Sequence, residues 1–106
     1  MSSWIAFDEG KSIGKKGPEG DIILQDDEHI HGARITLKRG EKYVSVSCNI
    51  YKWMDHSRFF GTTFEAQREY EMMKAEITEV MNVITAENTN QIKVWEAISK
   101  FVRKFP

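Results

Sequence analysis

Three features that would direct the reading of a chain are scarce in this one. Cysteine occurs once, at Cys48, so no internal disulfide can form and a cysteine-stapled secreted scaffold is excluded. Proline occurs twice, at Pro18 and Pro106. Neither interrupts the stretch from Thr62 to Phe105, where glycine is absent as well. Long apolar runs are missing: nothing approaches the roughly 20 apolar residues of a membrane span. Met1 to Asp8 has no basic segment leading into an apolar run, as a secretory leader would. No membrane partner is expected, and a cytoplasmic location follows by elimination. Charge of one sign is not in surplus either. The formal net charge is -1, which disfavours nucleic acid as a partner, because phosphate binding draws on clustered Lys and Arg.

What remains has the balance of an ordinary globular protein. The chain of 106 residues is 41% hydrophobic and 29% charged, which fits a single domain over 1–106. All seven glycines lie at or before Gly61. This shift divides the chain into mainly antiparallel strands over 1–62, a helix over 62–85 and a second helix over 90–105. The expected fold class is α+β. It has an antiparallel, meander-like sheet of about five strands, followed by two C-terminal helices, the first packed on one sheet face.

Alternation carries the strand assignments. Trp4 to Phe7 reads as a short first strand. Ile22 to Gln25 reads as a second, ended by Asp26 and Asp27 in a turn. Ala33, Ile35 and Leu37 alternate with Arg34, Thr36 and Lys38, while Val44, Val46, Cys48 and Ile50 alternate with Tyr43, Ser45, Ser47, Asn49 and Tyr51. A two-residue turn at Gly40-Glu41, with glycine first, joins these runs as a hairpin. That register sets Leu37 against Val44, Ile35 against Val46 and Ala33 against Cys48. Trp53 to His56 reads as the next turn and Ser57 to Gly61 as a last strand.

The remainder is helical. Thr62 and Glu65 form a capping box. Ala66, Tyr70, Met73, Ile77, Val80 and Ile84 follow at spacings of three and four, one continuous stripe. Asn88 and Gln91 form a second possible box. After it come Val94, Trp95, Ile98, Phe101, Val102 and Phe105 in a broad apolar stripe. Cys48 and the methionines at 72, 73 and 81 read as core filler.

One short segment resembles a known nucleic-acid-binding loop. Ile13-Gly14-Lys15-Lys16-Gly17 resembles the GXXG loop of RNA-binding KH domains, which joins two helices. Pro18 and Gly20 follow where a helix would continue, so a connector loop is expected instead. Gly10-Lys11-Ser12 lacks the first glycine of a P-loop, since position 5 is Ile. Strands followed by a helix are also similar, in topology only, to single-strand binders of the Whirly and Pur type.

Two surfaces remain as candidates. The polar side of the hairpin presents Arg34, Tyr43, Ser47, Asn49 and Tyr51, with Trp53 and Phe60 in the bordering segments. The helices cover one sheet face, and Trp4, Tyr51, Trp53 and Phe60 exceed what two helices can cover. The expected function is therefore a non-catalytic homodimeric binding or interaction module, with a protein or a small polar ligand as further partner and no cofactor. The alternative is a metal-dependent or acid/base enzyme built on Asp26, Asp27, Glu28, His29 and His31, with His56 as a third imidazole and Arg34 as an anion contact. That run has no ligand spacing of the H-E-x-x-H kind. A third arrangement folds the last helix over the open sheet face, or makes it the dimer contact.

Overall fold

A computed structural model describes residues 3–106. Five antiparallel strands, β1 (Trp4–Ala6), β2 (Ile22–His29), β3 (Ala33–Arg39), β4 (Val44–Ile50) and β5 (Met54–Phe60), pair in sequence order. Two helices follow, α1 (Thr63–Ile84) and α2 (Gln91–Lys104). The expected α+β architecture is present, with α1 packed on β3, β4 and β5.

The alternating residues of β3 and β4 form the floor of the core. Ala33, Ile35, Leu37, Val44, Val46, Cys48 and Ile50 are all buried. From α1 they meet Ala66, Tyr70, Met73, Ile77 and Val80, also buried. Thr62 caps α1 as expected, its hydroxyl accepting from the Glu65 N–H at 3.2 Å. The α2 cap is Asn90, whose side chain accepts from the Lys93 N–H at 2.9 Å. Asn88 is not the cap, because residues 86 to 89 close a turn of their own, with Thr89 N–H donating to the Ala86 carbonyl. α2 lies beside α1 on the same side of the sheet, so it does not cross the open face. Met72 departs from its expected place and is 44% exposed, whereas Met73 and Met81 are buried.

Three strand details differ from the sequence reading. The β3–β4 register is shifted by two, with Leu37 opposite Val46, Ile35 opposite Cys48 and Ala33 opposite Ile50. The reversal sits on Glu41-Lys42, flanked by a bond from Gly40 N–H to the Tyr43 carbonyl at 2.9 Å. Gly40 does not have positive φ, so the glycine-first turn is not formed. A shift of two leaves every side chain on its expected face, which is why the apolar pattern alone could not reject it. Second, β2 continues through the acidic run to His29, and the turn falls on residues 30–32, where Gly32 has φ 116°. Third, β5 begins at Met54. The turn before it is shorter, with Lys52 at φ 73° and Trp53 N–H bonded to the Ile50 carbonyl.

Candidate functional site

The sheet face opposite the helices carries Arg34, Thr36 and Lys38 from β3, Ser47 and Asn49 from β4, and Asp55, Ser57 and Phe59 from β5. They take this face because it receives every second residue of each strand. Part of it is roofed by the connection between β1 and β2. There Asp8, Glu9 and Gly10 all have positive φ, at 50°, 57° and 83°. Left-handed backbone costs a non-glycine residue about 1–2 kcal/mol. This turn directs the chain across the sheet, so that the Phe7 ring lies 3.5 Å from the Arg34 guanidinium.

Beneath this roof sits a buried carboxylate. Asp26 is 3% exposed. Arg34 grips it with two bonds, Nε to Oδ1 at 2.9 Å and Nη2 to Oδ2 at 2.6 Å. Ser12 donates to Oδ2 at 2.8 Å and Thr36 to Oδ1 at 2.9 Å. Burial would raise the Asp26 pKa, but the bonds from Arg34, Ser12 and Thr36 outweigh it and hold the carboxyl below its ordinary value. The same contact holds the Arg34 guanidinium above its usual value. The charge on Arg34 is therefore fixed in place and largely neutralised. Beside it, Tyr51 donates to Glu28 at 2.9 Å, and burial and that bond raise the phenol above its usual range.

From this anchor a groove of about 540 Å³ runs across β4 and β5, lined among others by Phe7, Thr36, Ser47, Asn49, Tyr51 and Ser57. Its floor is prepaired. The Ser47 and Ser57 hydroxyls lie 3.0 Å apart, and the Asn49 amide donates to Asp55.

Of the residues singled out from the sequence, the groove brings together Arg34, Ser47, Asn49 and Tyr51. Tyr43 stands apart, at the far end of the face, edge-on to Phe59 at 5.2 Å. Trp53 and Phe60 lie on the helix side. Trp53 stacks edge-on with Trp95 of α2 at 5.2 Å, and Phe60 belongs to the core. Trp4 is on that side too, its indole N–H donating to Thr78 of α1 at 2.9 Å. Of the four aromatic groups expected to exceed the cover of two helices, Trp4, Trp53 and Phe60 are on the helix side, with Trp53 covered by α2, while Tyr51 stays on the open face and is 40% exposed.

The acidic and histidine run is split between the two faces. Asp26 and Glu28 face the groove, while Asp27 faces α1 and accepts from Tyr70 and from Lys74 Nζ at 3.2 Å. The Tyr70 phenol is held far above its ordinary pKa by burial and by Asp27. His29 is 2% exposed beneath Trp4, and burial and His31 lower its pKa. His31 lies in the following turn, 5.6 Å from His29 between ring centres. His56 is on β5, bonded to the Phe105 carbonyl. Among the described residues, no three His, Cys, Asp or Glu side chains gather as a metal ion would require. Cys48 is 4% exposed and burial pushes its thiol up to about 12, which makes it inert as a nucleophile.

Sequence reasoning placed Thr36 on this face but missed Phe7, Ser12, Asp55 and Ser57 as parts of it. For Asp55 and Ser57 a signal existed, since extending β5 to Met54 puts both on the polar side. For Phe7 and Ser12 none existed, because a loop has no period. Compared with family models, with characterised proteins and with solved structures, the chain finds no match in any of the three. The geometry alone therefore carries the functional reading.

Proposed function

We propose that the protein is a non-catalytic, homodimeric binding module whose open sheet face takes a small polar ligand. One observation carries this reading: the polar face is uncovered over β4 and β5, while Asp26, Asp27 and His56, three groups suited to acid/base work, are tied to partners. Asp26 is held by three donors and Asp27 by two, and His56 is bonded to a carbonyl. What the groove offers is hydroxyl, amide and phenol groups around a fixed guanidinium. Its volume falls within the ordinary range for small-molecule sites, roughly 300–1,000 Å³. An uncharged or zwitterionic polar ligand suits this set, since neither sign of charge dominates it.

Two measurements test the reading. Light scattering at 10 and 100 µM is expected to give a mass approaching twice 12.3 kDa at the higher concentration. A mass that stays at the monomer value removes the dimer. Thermal shift against monosaccharides, amino acids and nucleosides at millimolar concentration is expected to find a stabilising class whose effect is lost in Asn49→Ala. No shift with any of them removes the ligand.

A further inference from the structure

We infer that the dimer contact is the outer stripe of α2, packed antiparallel against the same stripe of a second copy; this rests on the homodimer reading above. α2 has two apolar stripes. Val94, Ile98, Phe101 and Phe105 are buried in the core of their own chain. Roughly a third of the way round the helix lies a second set at helical spacing, Ile92, Trp95, Ser99 and Val102. It is open: Ile92 is 70% exposed, Trp95 45% and Val102 36%. A contiguous apolar stripe left open on a helix marks an association surface, and Trp is among the residues enriched in interface cores.

The stripe fits a second copy because it is nearly symmetric about its centre. Ser99 is the small residue in the middle. Trp95 lies four residues before it and Val102 three after. Glu96 and Arg103, both beside the stripe, lie three before and four after. In an antiparallel pair with its two-fold axis at Ser99, residues on the same flank meet when their distances from the axis agree to within one residue's rise, about 1.5 Å. Each Trp95 then packs near Val102 of the other copy, and each Glu96 meets the opposing Arg103. Two compensated charge pairs form from a single surface, as an isologous contact requires. Lys93 and Lys100 lie on the flank of α2 turned away from the stripe, and Lys104 is already bonded to Glu76. They do not oppose one another across the axis.

The contact is small. α2 is about 21 Å long, and one such helix pair buries less than a standard interface of about 1,600 Å². Association is therefore expected in the micromolar range and above.

The sequence itself supplies a clean test. Its one cysteine is buried, so an introduced thiol is the only one accessible. Helices 8–10 Å apart place facing Cα atoms at a two-fold axis roughly 5 Å apart, within disulfide reach. Ser99→Cys is expected to cross-link into a dimer on mild oxidation at least tenfold faster than Ser57→Cys on the sheet face. Ile92→Asp, at the most exposed stripe position, is expected to raise the dimer Kd at least tenfold while the melting temperature of the monomer holds. Glu96→Arg and Arg103→Glu are each expected to weaken the dimer several-fold, and the two together to restore it within threefold. A dimer that survives Ile92→Asp but dissociates in Phe59→Asp overturns the α2 contact and leaves the homodimer standing, on the sheet face. A chain monomeric up to about 300 µM overturns both. A monomeric chain that sediments with phosphatidylserine vesicles through Trp95 also overturns the contact, and gives the stripe to a lipid surface.

Discussion

Replacing Asp26 by Asn leaves the shape of the site almost unchanged and removes the charge that organises it. Its carboxylate accepts four hydrogen bonds, two from Arg34 and one each from Ser12 and Thr36. An amide cannot accept all four, and its NH₂ group must point at a donor. Removing one partner of a buried ion pair costs about 3–5 kcal/mol. Here the Asp26 side chain is fully buried but that of Arg34 is 32% exposed, so water recovers part of the guanidinium's solvation. With that discount the loss is about 2 kcal/mol. For a domain of this size it corresponds to a fall of about 8–16 °C in melting temperature. The pH dependence gives a second reading. The folded pKa of Asp26 lies below its ordinary value. Its contribution is therefore complete above the unfolded pKa and is lost as pH falls through the folded one. Thermal melts of wild type and Asp26→Asn are expected to differ most at pH 7 and to converge as the pH falls below the ordinary aspartate value, about 3.9. A variant melting within 2 °C of wild type at pH 7, or a gap that widens on acidification, would refute the role given to this carboxylate.

Two further expectations concern the fold. Ile77→Ala, at a fully buried position on α1, should cost about 2–5 kcal/mol in urea unfolding. Glu76→Ala loses only an exposed ion pair with Lys104 and should cost less than about 1 kcal/mol; equal losses would mean that the α1 stripe is misassigned. Glu9→Gly removes a side chain from left-handed backbone and should raise stability by about 1 kcal/mol, a gain that would be absent if residues 8–10 were free to adopt ordinary φ.

The sheet-and-helix division was legible because it depends on patterns that one chain segment carries by itself. Alternation in β3 and β4 fixed which face each residue takes. The stripe from Ala66 to Val80 fixed the buried side of α1. Register was not legible, because a slip of two residues preserves every face and only the turn decides it. The candidate site was legible in half. Arg34, Ser47, Asn49 and Tyr51 follow from β3 and β4 periodicity. The carboxylate that anchors them was read as a turn residue, because β2 is polar on both faces from Asp26 to His29. Near a sheet edge, burial there is satisfied by hydrogen bonds from Ser12, Arg34, Thr36, Tyr70 and Lys74 rather than by apolar contact, and hydropathy does not register it. The cover over Trp53 was missed for a related reason. α2 carries apolar residues on two flanks, and its sequence alone does not say which one turns inward.

The most direct test is the concentration dependence of backbone amide shifts between 10 and 300 µM. The expected result is movement confined to α2, at Ile92, Trp95, Glu96, Ser99, Val102 and Arg103, with slower tumbling at the higher concentration and no movement at Ser47, Asn49 or Ser57. Static α2 amides over that range, or movement at the sheet face instead, would contradict a module that dimerises through its last helix and keeps its polar face open.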